Sequence, residues 1–183
     1  MSGRLKIRQG WKRHLGTLAM VLAVFVAVQA WQTRKVPGGA APDFPVTVVQ
    51  ADGRVTSTTL HEWRAAHPGE PVALHFWADW CPICRTEEGS FTRVSQDWPV
   101  MTVAMQSGDA AKVAQVLRRR ALPWSAAVDP RSEITSAHGF GAVPAFVVVD
   151  AAGQLRAPTV GYTSETGMRL RLWWAKLTGG SAG

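Results

Sequence analysis

The order of its segments predicts an α/β protein: a central mixed sheet with helices on both faces, opened by a β-hairpin and preceded by a transmembrane helix. Three observations carry that prediction. An uncharged, largely apolar stretch at residues 15–31 follows a cluster of cations. From residue 46 onward, short apolar and β-branched runs alternate with segments of helical periodicity, in the order hairpin, β-α-β-α-β, hairpin, helix. Both cysteines of the chain stand at one junction between such a run and the next helix.

The N-terminal stretch comes first. Arg4, Lys6, Arg8, Lys12 and Arg13 precede Leu15 to Trp31, whose centre, Leu18 to Val28, is wholly apolar. At about 1.5 Å per residue this stretch just crosses a thin hydrocarbon core, and Trp11 and Trp31 bracket it where indoles favour the interface. The cations assign residues 1–14 to the cytoplasmic side and 15–31 to a signal-anchor, with the rest of the chain outside the cytoplasm. A signal peptide cut after Ala30, at Val28-Gln29-Ala30, is the competing reading. Residues 32–45, with Pro37-Gly38-Gly39-Ala40-Ala41-Pro42, read as a linker, 46–178 as the folded domain and 179–183 as a flexible tail.

Charge separates the same parts. Of 20 basic side chains, Arg4, Lys6, Arg8, Lys12, Arg13, Arg34 and Lys35 lie in residues 1–42 with no acid; the 13 that remain face 13 acids, so the net +7 belongs to the N-terminal segment. A neutral domain lacks the basic footprint of a nucleic-acid binder, and no nucleic-acid partner is expected. An apolar fraction of 46% with 18% charged excludes general disorder, and two cysteines exclude a four-cysteine zinc site.

Within the domain, Val46 to Gln50 and Val55 to Thr58 flank Asp52-Gly53, a hairpin signal. Leu60 to Ala66 reads as a short helix ended by His67-Pro68-Gly69. The run Val72 to Trp77 suits a strand buried on both faces. Ile83, Glu87, Phe91, Val94 and Trp98 fall on one helical stripe, Val100 to Met105 is a second strand, and a helix starts near Asp109 with Val113, Val116 and Leu117 at core spacing. Ala126 to Val128 forms a brief strand, Ala145 to Asp150 and Gln154 to Val160 a second hairpin, and Ser164 to Leu177 the last helix. Trp173 and Trp174, being adjacent, cannot both face one core. Arg118-Arg119-Arg120 reads as a solvated helix end that complements the dipole.

The cysteine motif is Trp80-Cys81-Pro82-Ile83-Cys84. Pro82 suits the first helical position, which makes Cys81 the N-cap. First-turn amides and the helix dipole then favour a thiolate at Cys81, the expected nucleophile, while Cys84, a turn inside the helix, resolves a mixed disulfide. A structural disulfide would close only a tiny loop of little entropic value. A Cu(I) site on the same thiols, completed from among His14, His61, His67, His75 and His138, is the alternative. Haem attachment is excluded because Arg85 stands where that motif needs histidine.

Phe76-Trp77-Ala78-Asp79-Trp80-Cys81-Pro82-Ile83-Cys84-Arg85 resembles the active-site segment of the thioredoxin family, and Gly139-Phe140-Gly141-Ala142-Val143-Pro144-Ala145-Phe146 resembles its second signature. The anchor, the first hairpin and Cys84-Arg85-Thr86-Glu87 place the likeness in the extracytoplasmic TlpA-like branch, nearest the suppressor-of-copper-sensitivity D (ScsD) proteins. The resemblance implies a thioredoxin-like fold and a protein disulfide oxidoreductase in the periplasm, held on a bacterial inner membrane and working through a redox-active Cys81–Cys84 disulfide without a dissociable cofactor. It implies a cis Pro144 closing the groove opposite Cys81, with Val143 offering backbone groups to a substrate and Trp80, Pro82 and Ile83 lining the same groove. Partners implied are protein thiols and disulfides, and a membrane reductase as electron donor.

Three departures stand out. His75 occupies the position of the buried aspartate of thioredoxin that helps deprotonate the second cysteine, so it is either a proton relay together with Glu87 or a neutral core histidine bonded to backbone. Glu87-Glu88-Gly89 lacks the proline that follows in many TlpA-like proteins. Ala142 replaces a glycine of the cytochrome-maturation relatives, which counts against apocytochrome reduction. Since Pro82-Ile83 supplies neither charge nor polar hydrogen to Cys81, the sequence favours a reductant over a strong oxidant.

Overall fold

The computed structural model describes residues 3–43 and 45–179, with side chains described from residue 14 onward. The chain divides after Arg34 into two compact units. The first is a continuous helix, α1 (Gly3–Thr33), longer at both ends than the apolar stretch read from sequence. Its segment His14–Thr33 is 20 residues of predominantly apolar, mostly exposed side chains, long enough at about 1.5 Å per residue to cross a hydrocarbon core. The cations of residues 4–13 that define the cytoplasmic segment have side chains outside the described residues.

The second unit carries β1 (Pro45–Val49), β2 (Val55–Thr59), α2 (Leu60–Ala65), β3 (Val72–Trp77), α3 (Pro82–Asp97), β4 (Val100–Met105), α4 (Ala110–Arg119), β5 (Ala126–Asp129), α5 (Glu133–Ala137), β6 (Ala145–Val149), β7 (Leu155–Val160) and α6 (Glu165–Gly179). The strands form one sheet in the order β2-β1-β5-β4-β3-β6-β7. β3, β4 and β5 run parallel, whereas β1 and β6 pair antiparallel to β5 and β3. This is the mixed sheet the segment order predicts. Residues 35–43 do not behave as a free spacer: Ala41 N–H donates to Gly153 O, Leu155 N–H to Gly39 O, and Val36 packs on the core.

β3 is central because all six of its side chains are buried, as an uninterrupted apolar run requires. One face packs Trp77, Phe91, Leu117, Trp124, Met168 and Leu172; the other packs Leu74, Phe76, Met101, Phe140 and Val147. Local chemistry fixes the ends of the elements. Thr59 and Glu62 form a reciprocal capping box on α2, and Asp109 caps α4 by accepting from Lys112 N–H. In the first hairpin Asp52 Oδ1 accepts from Arg54 N–H, and Gly53 takes a φ of 89° that suits glycine.

Four expectations change. α5 has no counterpart in the sequence reading: it is five residues long, and its first amides are satisfied from outside the helix, Ile134 and Thr135 N–H donating to the Asp129 carboxylate. Ile83 leaves the buried stripe of α3, being 51% exposed, and Cys84 takes its place with Glu87, Phe91 and Val94. Trp98 lies past the helix end in extended conformation and is half-buried. As their adjacency requires, Trp173 and Trp174 do not both face the core; both are exposed. Of the tail, Gly179 closes α6 and the last four residues lie outside the described residues.

Candidate functional site

The site lies where the buried strand β3 hands over to α3. Pro82 opens α3 at the position where its missing N–H costs nothing, and Cys81 is the N-cap, with φ −85° and ψ 110°. Its sulfur accepts from Cys84 N–H at 3.2 Å, so a first-turn amide is aimed at it as the motif predicts. Cys81 and Cys84 are joined in a disulfide. The Val143–Pro144 peptide is cis, and the Val143 carbonyl oxygen lies 3.7 Å from Cys81 Sγ, which brings the second motif against the first.

Cys81 is itself only 4% exposed, so it does not project as an open sulfur. What is exposed is its rim: Trp80, Pro82, Ile83, Gly141 and Ala142 surround a nearly covered disulfide, and Val143 is half-buried. Tyr162 adds a further apolar surface, positioned because Gly161 N–H donates to Pro144 O and Thr163 N–H donates to Glu87 Oε1.

Behind the cysteines is a buried polar pair. His75 Nε2 and Glu87 Oε2 are 3.2 Å apart, and both side chains are 1% exposed. Glu87 stands one turn beyond Cys84 on the buried face of α3. The imidazole stacks on Phe91, with ring centres 4.3 Å apart, and meets Trp124 edge-on. Thr163 N–H donates to the other Glu87 oxygen, so both oxygens of this carboxyl group are engaged from within the protein. His75 Nδ1 is buried with no hydrogen-bond partner among the described residues. The reading of His75 as a core residue tied to backbone is thereby corrected: its partner is a carboxylate.

The turn before Cys81 is clamped from three sides. Asp79 N–H donates to Ser107 Oγ, Trp80 Nε1–H donates to Gln106 O, and Asp79 O accepts from Arg120 Nη2 at 2.7 Å. Arg120 also bonds Glu88 Oε1 at 2.7 Å, while Lys112 Nζ is 3.2 Å from Asp79 Oδ2. Arg120 is thus not a solvated end of the basic run, because its guanidinium reaches the active-site turn. Arg118 reaches Ala51 O, and Arg119 alone is left without such a contact among the bonds described. Sequence reading missed Thr163, Ser107 and Arg120 because each meets the site across a long sequence separation. The only local signal was Arg120's place in a helix-ending basic cluster.

The fold and this cysteine-bearing helix start define a thioredoxin-like protein with a disulfide at the start of α3. Residues 37–157 match the AhpC/TSA family model, and the chain belongs to that family. It is 28% identical over 111 residues to a thioredoxin-like protein of Haemophilus influenzae, covering 60% of this chain and 66% of that one. To a thiol:disulfide interchange protein DsbE homolog of Paracoccus denitrificans it is 32% identical over 119 residues, covering 64% and 63%. The chain thus spans just under two thirds of the length of these relatives. Among solved structures, the pneumococcal exposed lipoprotein thioredoxin Etrx1 of Streptococcus pneumoniae superposes with a TM-score of 0.60 at 20% identity, over 73% of this chain and 99% of that one, which shows the thioredoxin-like fold.

Proposed function

We propose that this chain is a thiol-disulfide oxidoreductase held on the extracytoplasmic face of a bacterial inner membrane by α1, acting on protein thiols and disulfides. The observation that carries the reading is the Cys81–Cys84 disulfide at the start of α3, with the Cys84 amide directed at the outer sulfur and Glu87, paired with His75, one turn beyond Cys84 on the same buried face. In the reductive direction the Cys81 thiolate attacks a substrate disulfide, one sulfur of which leaves as a thiolate and takes a proton. Cys84 then gives its proton to the His75–Glu87 pair and attacks Cys81 Sγ. The Cys81–substrate bond breaks, the second substrate thiol is released, and the two electrons of the dithiol have passed to the substrate. A membrane dithiol donor returns two electrons to the Cys81–Cys84 disulfide, so the cycle needs no dissociable cofactor.

The direction of flow follows from how strongly the fold stabilises the Cys81 thiolate. One peptide amide faces that sulfur, and Pro82 and Ile83 add no polar hydrogen. This supports a reductant, for which the equilibrium potential against glutathione should lie near the thioredoxin value of about −270 mV, whereas a disulfide-forming oxidant would lie near about −120 mV. Trp80, Ile83, Val143 and Tyr162 form the rim that an extended substrate segment would cover.

The same sulfurs could instead serve Cu(I), the role suggested by the likeness to the copper-sensitivity branch. Among the described residues no three His, Cys, Asp or Glu side chains converge, so such a site would have only two sulfur ligands from this chain. Cys84→Ser separates the two functions. The oxidoreductase accumulates mixed disulfides on Cys81 that a thiol reductant releases, whereas a copper module traps no partner and loses Cu(I).

A further inference from the structure

The last helix, α6, is apolar on two opposite faces. Met168, Leu172 and Ala175 enter the core beside Phe91 and Leu117. Leu170, Trp173, Trp174 and Leu177 point the other way and are each between 50% and 73% exposed. At 3.6 residues per turn these four fall within about 100° of arc, roughly opposite the buried three. A helix that serves one core carries polar residues on its outer face, so the second stripe needs its own apolar environment. The stripe is also held in place. Trp173 meets Trp98 edge-on at 5.8 Å, and Lys176 Nζ stands 5.6 Å over the Trp98 ring.

The covering surface is indicated by the chain itself. α1 ends at Thr33, and Val36 already packs on the core of the second unit. Three peptide units, no more than about 11 Å of chain, separate the end of α1 from a residue packed in the second unit, so an anchored α1 leaves the domain a short tether to the membrane. Indoles and leucines beside a cationic side chain, here Lys176, are the composition that settles at the boundary of headgroups and acyl chains. The stripe is small for a protein partner. Four half-exposed side chains of this size present on the order of 400 Å², about half of what each partner buries in a stable complex.

We propose that α6 docks on the phospholipid surface through Leu170, Trp173, Trp174 and Leu177, fixing how the redox site is presented above the membrane. The inference rests on the reading of α1 as a retained anchor. The test uses the full chain, labelled with fluorotryptophan and placed one copy per nanodisc in mixed phosphatidylcholine and phosphatidylglycerol, with signals assigned through Trp31→Phe, Trp80→Phe, Trp173→Phe and Trp174→Phe. Docking predicts that a nitroxide carried on the lipid near its headgroup broadens the Trp173 and Trp174 fluorine resonances beyond detection, while a soluble gadolinium chelate spares them and broadens Trp80. If Trp173 and Trp174 respond to the two agents as Trp80 does, docking is overturned. If they are shielded from the chelate yet untouched by the lipid nitroxide, a protein surface covers them and docking is equally overturned. Trp31 reports the anchor separately. Its broadening by the lipid nitroxide with α6 unaffected overturns docking alone, and an unaffected Trp31 together with an unaffected α6 overturns the anchor as well.

Discussion

His75 and His138 are buried histidines on opposite faces of the same sheet, and they differ in what receives their ring nitrogens. His75 packs among Phe91 and Trp124 and bonds a carboxylate, with its second nitrogen open to the interior. His138 packs on Phe76 and Phe140's side of the sheet, and its Nδ1 lies 2.8 Å from the Ile134 carbonyl. Burial pushes the His138 imidazole below its ordinary pKa, so a neutral ring donating to backbone satisfies it. The contrast teaches that burial does not distinguish a working histidine from a structural one. The partner is what separates them: a carbonyl can only accept a hydrogen, whereas a carboxyl group is itself able to bind a proton.

That contrast can be broken in several ways. The largest effect belongs to the outer sulfur: Cys81→Ser should remove disulfide turnover altogether, a loss of at least about 10³-fold in an insulin-reduction assay, while His138→Gln stays within about twofold of the parent. Next comes the pair itself. Glu87→Gln and His75→Phe should each slow release of a trapped mixed disulfide by about 10²-fold near neutral pH, the size of a lost general acid-base contribution, with the deficit shrinking as external pH ionises Cys84. Quenched-flow alkylation reads that step directly, and an unchanged lifetime in both variants would remove the proton role from the pair.

The stability test runs the other way around. As pH falls through about 6.5, the unfolded chain protonates at residue 138 before the folded protein does, because the folded pKa is depressed; stability is therefore present above that pH and lost below it. His138→Gln should cost about 1–2 kcal/mol at pH 7.5, and the gap to the parent should narrow as denaturation is repeated toward pH 5. A gap that widens on acidification would contradict the assignment. The smallest effect is expected at Arg120→Gln, which unties the Asp79 carbonyl from Glu88: activity should fall about threefold, and amide exchange at residues 79–81 should quicken, with His75-dependent pH behaviour unaltered.

Much of this was legible in the sequence. The central strand, the cysteine-bearing helix start and the two hairpins follow from local patterns: an apolar run, a proline after a capping residue, Asp-Gly between β-branched residues. The pairing of the Cys81 and Pro144 motifs came from resemblance to a family, since nothing local links segments 62 residues apart. α5 was illegible because its cap is Asp129, in the preceding strand, and because five residues carry no period. The carboxylate partner of His75 was named, but the Thr163 amide that holds Glu87 was not, because a backbone donor has no signature in residue type. Arg120 was misplaced for the opposite reason: its residue type suggested solvent, and only packing shows that its reach ends on the Asp79 carbonyl.

The contact of residues 39–41 with Gly153 and Leu155 covers part of an edge of the sheet. β7 is the outermost strand of the sheet, and an outermost strand offers unpaired amides and carbonyls to any neighbour. Pro158 removes one donor from it, and Ala157, at φ 48°, bends it beside the register shift with β6. Its first residues have neither device. There the Ala40–Gln154 bridge stands at the start of the strand, where Leu155 N–H donates to Gly39 O. The segment that joins helix to domain is thereby also the guard of an open sheet edge, and a chain trimmed to begin at Asp43 would carry that edge bare into every collision with its own kind.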